Sequence, residues 1–271
     1  MAVSANALFH FTDSIDILKS IVRNGFYPRY CMEKKDFLRV YPANKLRYSA
    51  SPMVCFCDIP LSLVKKHALR YGKYGIGINK SWAQQYGINP VTYISSESTV
   101  SKQINYSYAA IRKYQSKDHI LIREMNDLER EMFDLAGETL DAIHYLKPYE
   151  GKNWINKSFA GEKICFYDER EWRFVPPQAA MVYAGVGRFI PRELFLDTDC
   201  RNDLNKALET CKLPINERTI QYIIVDKNNE MRKMVNVIMN LDEICGCKLS
   251  IEDKGMLCTK VISMERIESD F

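Results

Sequence analysis

The apolar residues of this chain are gathered in short runs, and this feature restricts its fold more than any other. Runs of six or seven residues, rich in aromatic and β-branched side chains, occur at 7–12 (ALFHFT), 53–59 (MVCFCDI) and 219–225 (TIQYIIV). Such runs, bounded by polar and turn-forming residues, predict buried strands. No run reaches the roughly 18 apolar residues that a spanning helix needs, so the sequence does not predict a membrane protein.

Segments with helical spacing lie between these runs. The first begins after Asp13 or Ser14, ends at Gly25, and has its apolar residues on one face. Residues 101–145 contain two further helical stretches, because apolar residues recur there at spacings of three and four. We interpret these stretches as a helical insertion in a fold that otherwise alternates strands and helices.

Three other segments have less distinctive patterns. Residues 28–51 are polar, basic and rich in tyrosine, and they predict a long loop with room for a short helix. Residues 179–191 (AAMVYAG and VGRFIP) predict an edge strand and a turn, and residues 254–267 predict a strand that closes the chain. Because neither a linker nor a repeat divides the chain, we predict a single α+β domain over residues 1–271.

Charge and cysteine content restrict the class of protein further. Lys and Arg number 38 against 34 Asp and Glu, and the net charge of +4 does not by itself imply a nucleic-acid partner. The amino terminus lacks the basic and apolar regions of a secretory signal peptide, so we predict a cytoplasmic location. The nine cysteines are then expected to be reduced. Their two C-x-C pairs lack zinc-site spacing, and no metal is predicted.

The segment FYDEREWRF (166–174) has an unusual pattern for a strand. Strand alternation predicts one face that packs against a core, with Phe166, Trp172 and Phe174, and an opposite face with Tyr167, Glu169, Glu171 and Arg173. Two interpretations stay open. The charged face is solvated and Arg173 pairs with Glu171, or a carboxylate orients a ribose hydroxyl or activates a nucleophile.

His10 lies between two phenylalanines of the first predicted strand, with its ring on the opposite face from theirs. It is either a structural residue or a ligand contact, since the helix that follows would offer its amino terminus to a phosphate or a ribose. In RYGKYGIGINK (70–80), glycines such as Gly75 permit close backbone approach, and a tyrosine can stack on a planar ligand. The alternative is a hairpin with surface tyrosines.

Tyrosines are interleaved with basic residues at 19–48 and 65–73, a combination that could bind single-stranded nucleic acid by charge and stacking. His67 lies in the second of these segments, next to Lys65, Lys66 and Arg70. We therefore expect it on a solvated basic face of a helix.

Four segments join an apolar strand pattern to polar or glycine residues that a core does not need. They are LFHFT (8–12), MVCFCDIPLS (53–62), HALRYGKYGIGIN (67–79) and FYDEREWRFVP (166–176). At these segments the chain resembles the AbiGi family, the antitoxins of a bacterial abortive phage-infection system. That resemblance implies a role in phage defence and a partner, either a cognate toxin or a phage component.

The H-F-T strand before a helix that ends in glycine, together with Glu169-Arg170-Glu171, also resembles the ADP-ribosyltransferase superfamily, including DarT-like toxins. This resemblance implies a split, mainly antiparallel sheet and NAD as substrate. It implies a catalytic set of Glu171, Glu169 and His10, in which Glu171 stabilises the transition state and Glu169 orients the acceptor. The cofactor-binding residues that it implies are His10 on the ribose, Tyr71 or Tyr74 on the nicotinamide, and Thr12 and Gly75.

Two functions therefore follow from the sequence. The first is transfer of ADP-ribose from NAD to nucleic acid or protein in a phage-defence system. The alternative is a non-catalytic antitoxin or sensor that binds a partner toxin or phage component on the same scaffold. The two differ in whether His10 and Glu171 converge on one cleft with their polar atoms available to a ligand.

Overall fold

The computed structural model describes residues 4–41, 43–115, 126–155 and 157–270. The strands in these ranges are β1 (Ala7–Thr12), β2 (Arg29–Lys34), β3 (Tyr48–Cys57), β4 (Tyr74–Asn79), β5 (Asn89–Pro90), β6 (Thr92–Ile94), β7 (Leu146–Pro148), β8 (Glu150–Ile155), β9 (Ser158–Cys165), β10 (Glu171–Phe174), β11 (Ile190–Pro191), β12 (Ile220–Val225), β13 (Glu243–Ile244), β14 (Cys247–Lys248) and β15 (Val261–Ser263). The α-helices are α1 (Ile15–Asn24), α2 (Val64–Tyr71), α3 (Lys80–Gln85), α4 (Thr99–Gln115), α5 (Asp127–Asp141), α6 (Gln178–Tyr183), α7 (Arg192–Leu196), α8 (Thr198–Ala207), α9 (Asn228–Met239), α10 (Ile251–Cys258) and α11 (Met264–Asp270).

A mixed, mainly antiparallel sheet organises the protein and confirms the predicted α+β class. Its strand order is β15-β12-β4-β1-β3-β10-β5, and within this path the β12–β15 pair is parallel. The long strand β3 changes partners along its length. Met53 is paired with β2, and Val54, the next residue, is paired with β10. This change brings residues of β2 and β10 to one region of β3.

Two glycines explain how β4 fits beside β1. Gly75 and Gly77 lie opposite Phe11 and Phe9, and a β-carbon at either glycine would come within 3 Å of a phenylalanine ring. The aromatic rings therefore lie across β4 because β4 has no side chain there. Gly72, just before the strand, has a φ of +106° and touches the backbone of Thr12, so the connection from α2 requires a glycine.

Helices cover both faces of the sheet. On one face α1, α9 and α10 enclose the largest apolar cluster, which includes Leu18, Ile78, Ile223 and Met234. On the other face Val64 and Ala68 of α2 and Ile267 of α11 pack against Phe9 and Phe11. Apolar burial on both faces is what stabilises such a layered arrangement.

The first helix confirms its predicted ends. Ser14 is its cap, since the Ser14 side chain accepts a hydrogen bond from the backbone N–H of Asp16. Leu18, Ile21 and Val22 are buried as expected. The predicted helical content of 101–145 is confirmed by α4 and α5, while residues 116–125 lie outside the described residues.

Several local predictions were wrong. Residues 28–51 contain β2 and the start of β3 rather than a long loop, although a 3-10 helix at Ala43–Leu46 agrees with the short helix expected there. The segment 166–174 is not one continuous strand, because it begins with a 3-10 turn at Phe166–Glu169. Residues 179–185 are mostly the helix α6, and the expected strand of this region is the short β11. The final segment carries α10 and α11 on either side of the short strand β15. No helix in the described part of the chain is long and apolar enough to cross a lipid bilayer.

Candidate functional site

A cleft of about 690 Å³ opens beside β1, β3, β10 and α2, with the β8–β9 hairpin along one side. Four of the residues that the sequence singled out line it: His10, Tyr71, Glu169 and Glu171. They come from a strand, a helix, a turn and a second strand, so only the tertiary fold brings them together. A cleft of this size can accommodate a ligand of nucleotide dimensions.

The two glutamates reach the cleft by different local structures. Glu171 is the first residue of β10, whereas Glu169 ends the preceding 3-10 turn. Arg170 between them has a left-handed backbone (φ +45°), which turns the chain from one element into the other. Both carboxylates are nearly inaccessible to solvent, with exposures of 4% for Glu169 and 6% for Glu171. Buried carboxylates require partners.

Lys147 and Arg173 supply those partners. The Lys147 Nζ donates to Oε2 of Glu169 at 2.7 Å and to Oε2 of Glu171 at 2.5 Å. The Arg173 Nε donates to Oε1 of Glu171 at 2.6 Å, and the Tyr71 hydroxyl donates to Oε1 of Glu169 at 2.6 Å. The predicted pairing of Arg173 with Glu171 is therefore confirmed, although it is buried rather than solvated.

The network continues away from the cleft. Arg173, which is fully buried, also binds the Glu33 carboxylate and donates through Nη1 to the backbone oxygen of His144 at 2.5 Å. Lys35, also fully buried, lies 3.6 Å from Glu33. The cluster of described residues thus contains three carboxylates, Glu33, Glu169 and Glu171, and three largely buried cations, Lys35, Lys147 and Arg173. A fourth cation, the more exposed Arg70, lies 3.8 Å from Glu169.

These neighbours decide the ionisation of the site. Burial alone would raise the pKa of Glu171, but Arg173 and Lys147 hold that pKa well below its usual range. Burial would likewise lower the pKa of Lys147, but Glu171 and Glu169 hold it well above its usual range. Glu171 is therefore an anion, and Lys147 a cation, at neutral pH.

His10 lies on the floor of the cleft. Its Nδ1 is 2.8 Å from the backbone oxygen of Cys55 in β3, and this contact fixes the ring with the proton on Nδ1. Burial lowers the pKa of His10, so the imidazole is neutral. Its Nε2 makes no hydrogen bond to the described residues and is an acceptor. The edge of the ring packs against Phe26 and Phe56.

The helix α2 contributes an aromatic wall. The rings of His67 and Tyr71 are 4.5 Å apart, and His67 also contacts Phe11. The prediction of a solvated face for His67 was wrong, because His67 lines the cleft and its burial lowers its pKa to about 4. Burial and the nearby Glu169 raise the pKa of Tyr71, whose hydroxyl therefore stays protonated.

Three predicted cofactor-binding residues are not brought to the cleft. Thr12 is buried at the end of β1, where its backbone touches Gly72. The Tyr74 hydroxyl donates to Glu230 of α9 at 3.1 Å. Gly75 packs under the Phe11 ring. Their positions give them structural contacts instead, and of the two tyrosines it is Tyr71 that lines the cleft.

Sequence reasoning missed Lys147, Glu33 and Lys35. Lys147 follows the end of the helical region, and a single lysine beside a proline carries no recognisable pattern. Glu33 lies in the segment that was predicted to be a loop, so strand alternation could not indicate the direction of its side chain. The residues that these side chains contact are up to 140 positions away, and no local signal could have indicated them.

The basic, tyrosine-rich surface at 27–48 is largely neutralised. Asp36 pairs with Arg47 at 2.6 Å and with Lys34 at 3.1 Å, and Glu209 pairs with Arg29 at 3.3 Å. These acidic partners weaken the positive field that a nucleic-acid backbone requires. The surface therefore adds no support to the nucleic-acid interpretation.

The chain is similar to proteins of one known family. Residues 24–226 match the family described as "Putative abortive phage resistance protein AbiGi, antitoxin". The chain belongs to the AbiGi family. A relative, the abortive phage resistance protein AbiGi of Lactococcus lactis subsp. cremoris, is 25% identical to this chain. The match extends over 91% of this chain and 100% of the relative. No solved structure matches the chain.

Membership in the AbiGi family confirms the resemblance that the four segments indicated, and it associates the chain with abortive phage resistance. The matched range contains the network around Lys147, Glu171 and Arg173, and it begins after His10. The family description names a genetic role and no chemical activity.

Proposed function

We propose that this AbiGi protein binds NAD in the cleft and transfers ADP-ribose from it as part of a phage-defence system. The observation that carries the proposal is the convergence of His10, Tyr71, Glu169 and Glu171 on one cleft. These four residues come from three segments that are far apart in the sequence, and the fold brings them to one cleft.

The residues of the cleft are suited to the parts of NAD. The neutral His10 offers Nε2 as an acceptor for a ribose hydroxyl, and Glu171 remains an anion near the sugar. Tyr71 and His67 offer aromatic surface to the nicotinamide ring. Two cations, Arg70 and Lys152, line the cleft and can meet the pyrophosphate, and of these Arg70 is 3.8 Å from Glu169.

The reaction follows from where charge develops. The bond between ribose C1′ and the nicotinamide nitrogen breaks, and nicotinamide leaves with the electron pair. An acceptor oxygen or nitrogen bonds to C1′ and loses its proton. Positive charge develops on the sugar, and a fixed carboxylate at that point lowers the barrier electrostatically. We assign this role to Glu171 and the orientation of the acceptor to Glu169.

A second function is favoured by a specific observation. Both carboxylate oxygens of Glu171 accept hydrogen bonds from cations, and those of Glu169 are engaged by Lys147 and Tyr71. A carboxylate neutralised in this way stabilises a developing positive charge less well. The network would then be structural, and the protein would act as an antitoxin that binds its toxin, as the family description indicates.

Incubation of the protein with labelled NAD and a cell extract tests the first function. We expect label to be transferred by the wild type and transfer to fall by about 100-fold or more in Glu171→Gln. Glu150→Gln is a matched control, because Glu150 is exposed on β8 and pairs with Lys163 outside the network. Equal transfer by wild type and Glu171→Gln would remove Glu171 from the mechanism.

The second function predicts a different result. If the protein acts as a non-catalytic antitoxin, neither release of nicotinamide nor transfer of label is expected from wild type. The protein would instead copurify with the product of the neighbouring gene, and Glu171→Gln would weaken that association only as far as it destabilises the fold.

A further inference from the structure

Lys147 holds the two glutamates of the cleft together. Its ammonium lies between them, at 2.7 Å from Glu169 and 2.5 Å from Glu171. The Nζ also lies over the ring of Phe166, 4.6 Å from the ring centroid. The cation is thus bound by two carboxylates and an aromatic face, which is a complete binding site for a positively charged group.

Because of the charge balance, the position between Glu169 and Glu171 can hold only one positively charged group. The interior of the described network contains three carboxylates and three cations, and the half-exposed Arg70 adds a fourth cation at 3.8 Å from Glu169. The carboxylates are therefore already fully balanced by positive charge. A further positive charge next to Glu171 would be unpaired as long as Lys147 stays in place. In a buried site of low dielectric constant, such an imbalance is costly. A cationic ligand group and the Lys147 ammonium therefore exclude each other.

The side chains of Lys147 and Arg173 differ in how easily they can move away from Glu171. Arg173 is fully buried and is also held by Glu33 and the His144 carbonyl, so it is a fixed part of the network. Lys147 lies on the three-residue strand β7, its side chain is 12% exposed, and it lines the cleft. Rotation of a lysine side chain toward the open cleft needs no movement of the backbone.

We propose that Lys147 is an internal substitute for the positively charged end of the ligand, and that it must leave the glutamates before the ligand can engage them. The site then selects ligands by charge, because only a cationic group replaces what Glu169 and Glu171 lose. Lys147 is in this account a specificity-determining residue. The inference rests on the proposed NAD binding and adds the exchange of one cation for another.

NAD+ and NADH are suitable probes because they share the phosphates and riboses and differ in the charge of the nicotinamide ring. The experiment measures both dissociation constants by calorimetry for wild type and for Lys147→Met, which keeps most of the apolar side-chain volume and removes the charge. We expect the ratio Kd(NADH)/Kd(NAD+) to rise about tenfold or more in Lys147→Met, since the vacated carboxylates favour the cationic ring.

Lys152→Met is the matched control. Lys152 lines the same cleft, so its loss removes the same charge, and it makes no ion pair to the described residues. Removal of Lys152 is expected to weaken NAD+ and NADH equally and to leave the ratio unchanged. A ratio that rises equally in both variants would show a general effect of charge and would overturn the role of Lys147.

Each of the other possible results also supports or contradicts the exchange of cations. An unchanged ratio in Lys147→Met, with both ligands bound, would overturn the exchange and leave NAD binding intact. Binding of neither ligand by wild type and variant would refute the proposed function itself. If Lys147→Met does not fold, Lys147→Arg is decisive. An arginine bridges both carboxylates more firmly, and we expect it to bind NAD+ at least about fivefold more weakly than wild type. Equal or tighter binding would contradict the inference.

Discussion

Replacement of Arg173 by methionine tests whether the buried network is required by the fold. The Arg173 guanidinium is fully buried and binds Glu171, Glu33 and the His144 carbonyl. Methionine fills much of the same volume but leaves Glu171 and Glu33 with one cation each, Lys147 and Lys35. Breaking a buried ion pair by removing one partner costs about 3–5 kcal/mol.

That free energy can be measured by thermal and urea unfolding at pH 7. For a chain of this length 1 kcal/mol corresponds to roughly 2 °C in Tm, so we expect Tm to fall by about 6–10 °C in Arg173→Met. Arg218→Met is the matched control, because Arg218 is exposed and pairs with Glu217 at the surface. Its Tm should equal that of the wild type, as exposed pairs contribute little.

The loss should depend on pH in a defined direction. In wild type, Arg173 and Lys147 lower the pKa of Glu171, so its contribution to stability is present above the pKa of an unfolded glutamate, about 4.3. It is lost as pH falls through the lower folded value. In Arg173→Met, protonation of Glu171 relieves the unpaired charge, and the difference in stability from wild type should narrow between pH 7 and pH 4. A loss below 1 kcal/mol, or a difference independent of pH, would refute the reasoning.

Three further predictions concern the surroundings of the site. Gly72→Ala should destabilise by more than about 1 kcal/mol in urea unfolding, because Gly72 has φ +106° and a β-carbon would lie 2.1 Å from the Thr12 oxygen; an unchanged midpoint would contradict this contact. Burial lowers the pKa of His67 to about 4, so its NMR ring resonances should not titrate between pH 5.5 and 8, and a midpoint near 6.5 would place His67 in solvent. Trp172→Ala should cost about 2 kcal/mol rather than abolish folding, because Trp172 is only partly buried against the main core, and an unfolded variant would show that it is a core residue.

The elements with strong local patterns could be predicted from the sequence. The strands β1 and β12 follow from continuous apolar runs, and α1 follows from its spacing, its cap at Ser14 and its stop at Gly25. The placement of His10 opposite Phe9 and Phe11 follows from strand alternation. These features depend on neighbours within a few residues, which a sequence displays directly.

The charged face of β10 shows where such reasoning fails. Alternation correctly placed Glu171 and Arg173 on one face and Trp172 on the other, and Trp172 packs against the main apolar core as expected. Alternation did not indicate that the charged face is buried as well. Glu171 and Arg173 are buried, whereas Trp172 is half-buried. A buried charge is tolerated only with partners, and here Glu33 and Lys147 come from strands remote in sequence.

The prediction for residues 179–185, which form most of α6, was wrong for a different reason. Its residues, QAAMVY, form a short apolar run, and periodicity does not distinguish a short buried strand from a short helix. Met181 is buried against Tyr30 and Ile190, so tertiary packing selects the helix. The sequence indicates several residues that line the cleft but not the shape of the cleft. The shape depends on the change of partner strands along β3 between Met53 and Val54.

The central claim is that the cleft binds NAD through His10. Calorimetric titration of NAD into wild type and His10→Ala, with the Tm of both proteins recorded, tests it most directly. We expect saturable binding by wild type and at least about tenfold weaker binding by His10→Ala. The variant should still unfold in one cooperative transition, at a lower Tm because the buried ring and its hydrogen bond to Cys55 are lost. The absence of binding to wild type at millimolar NAD would contradict the claim and leave the cleft network as a structural feature of an antitoxin.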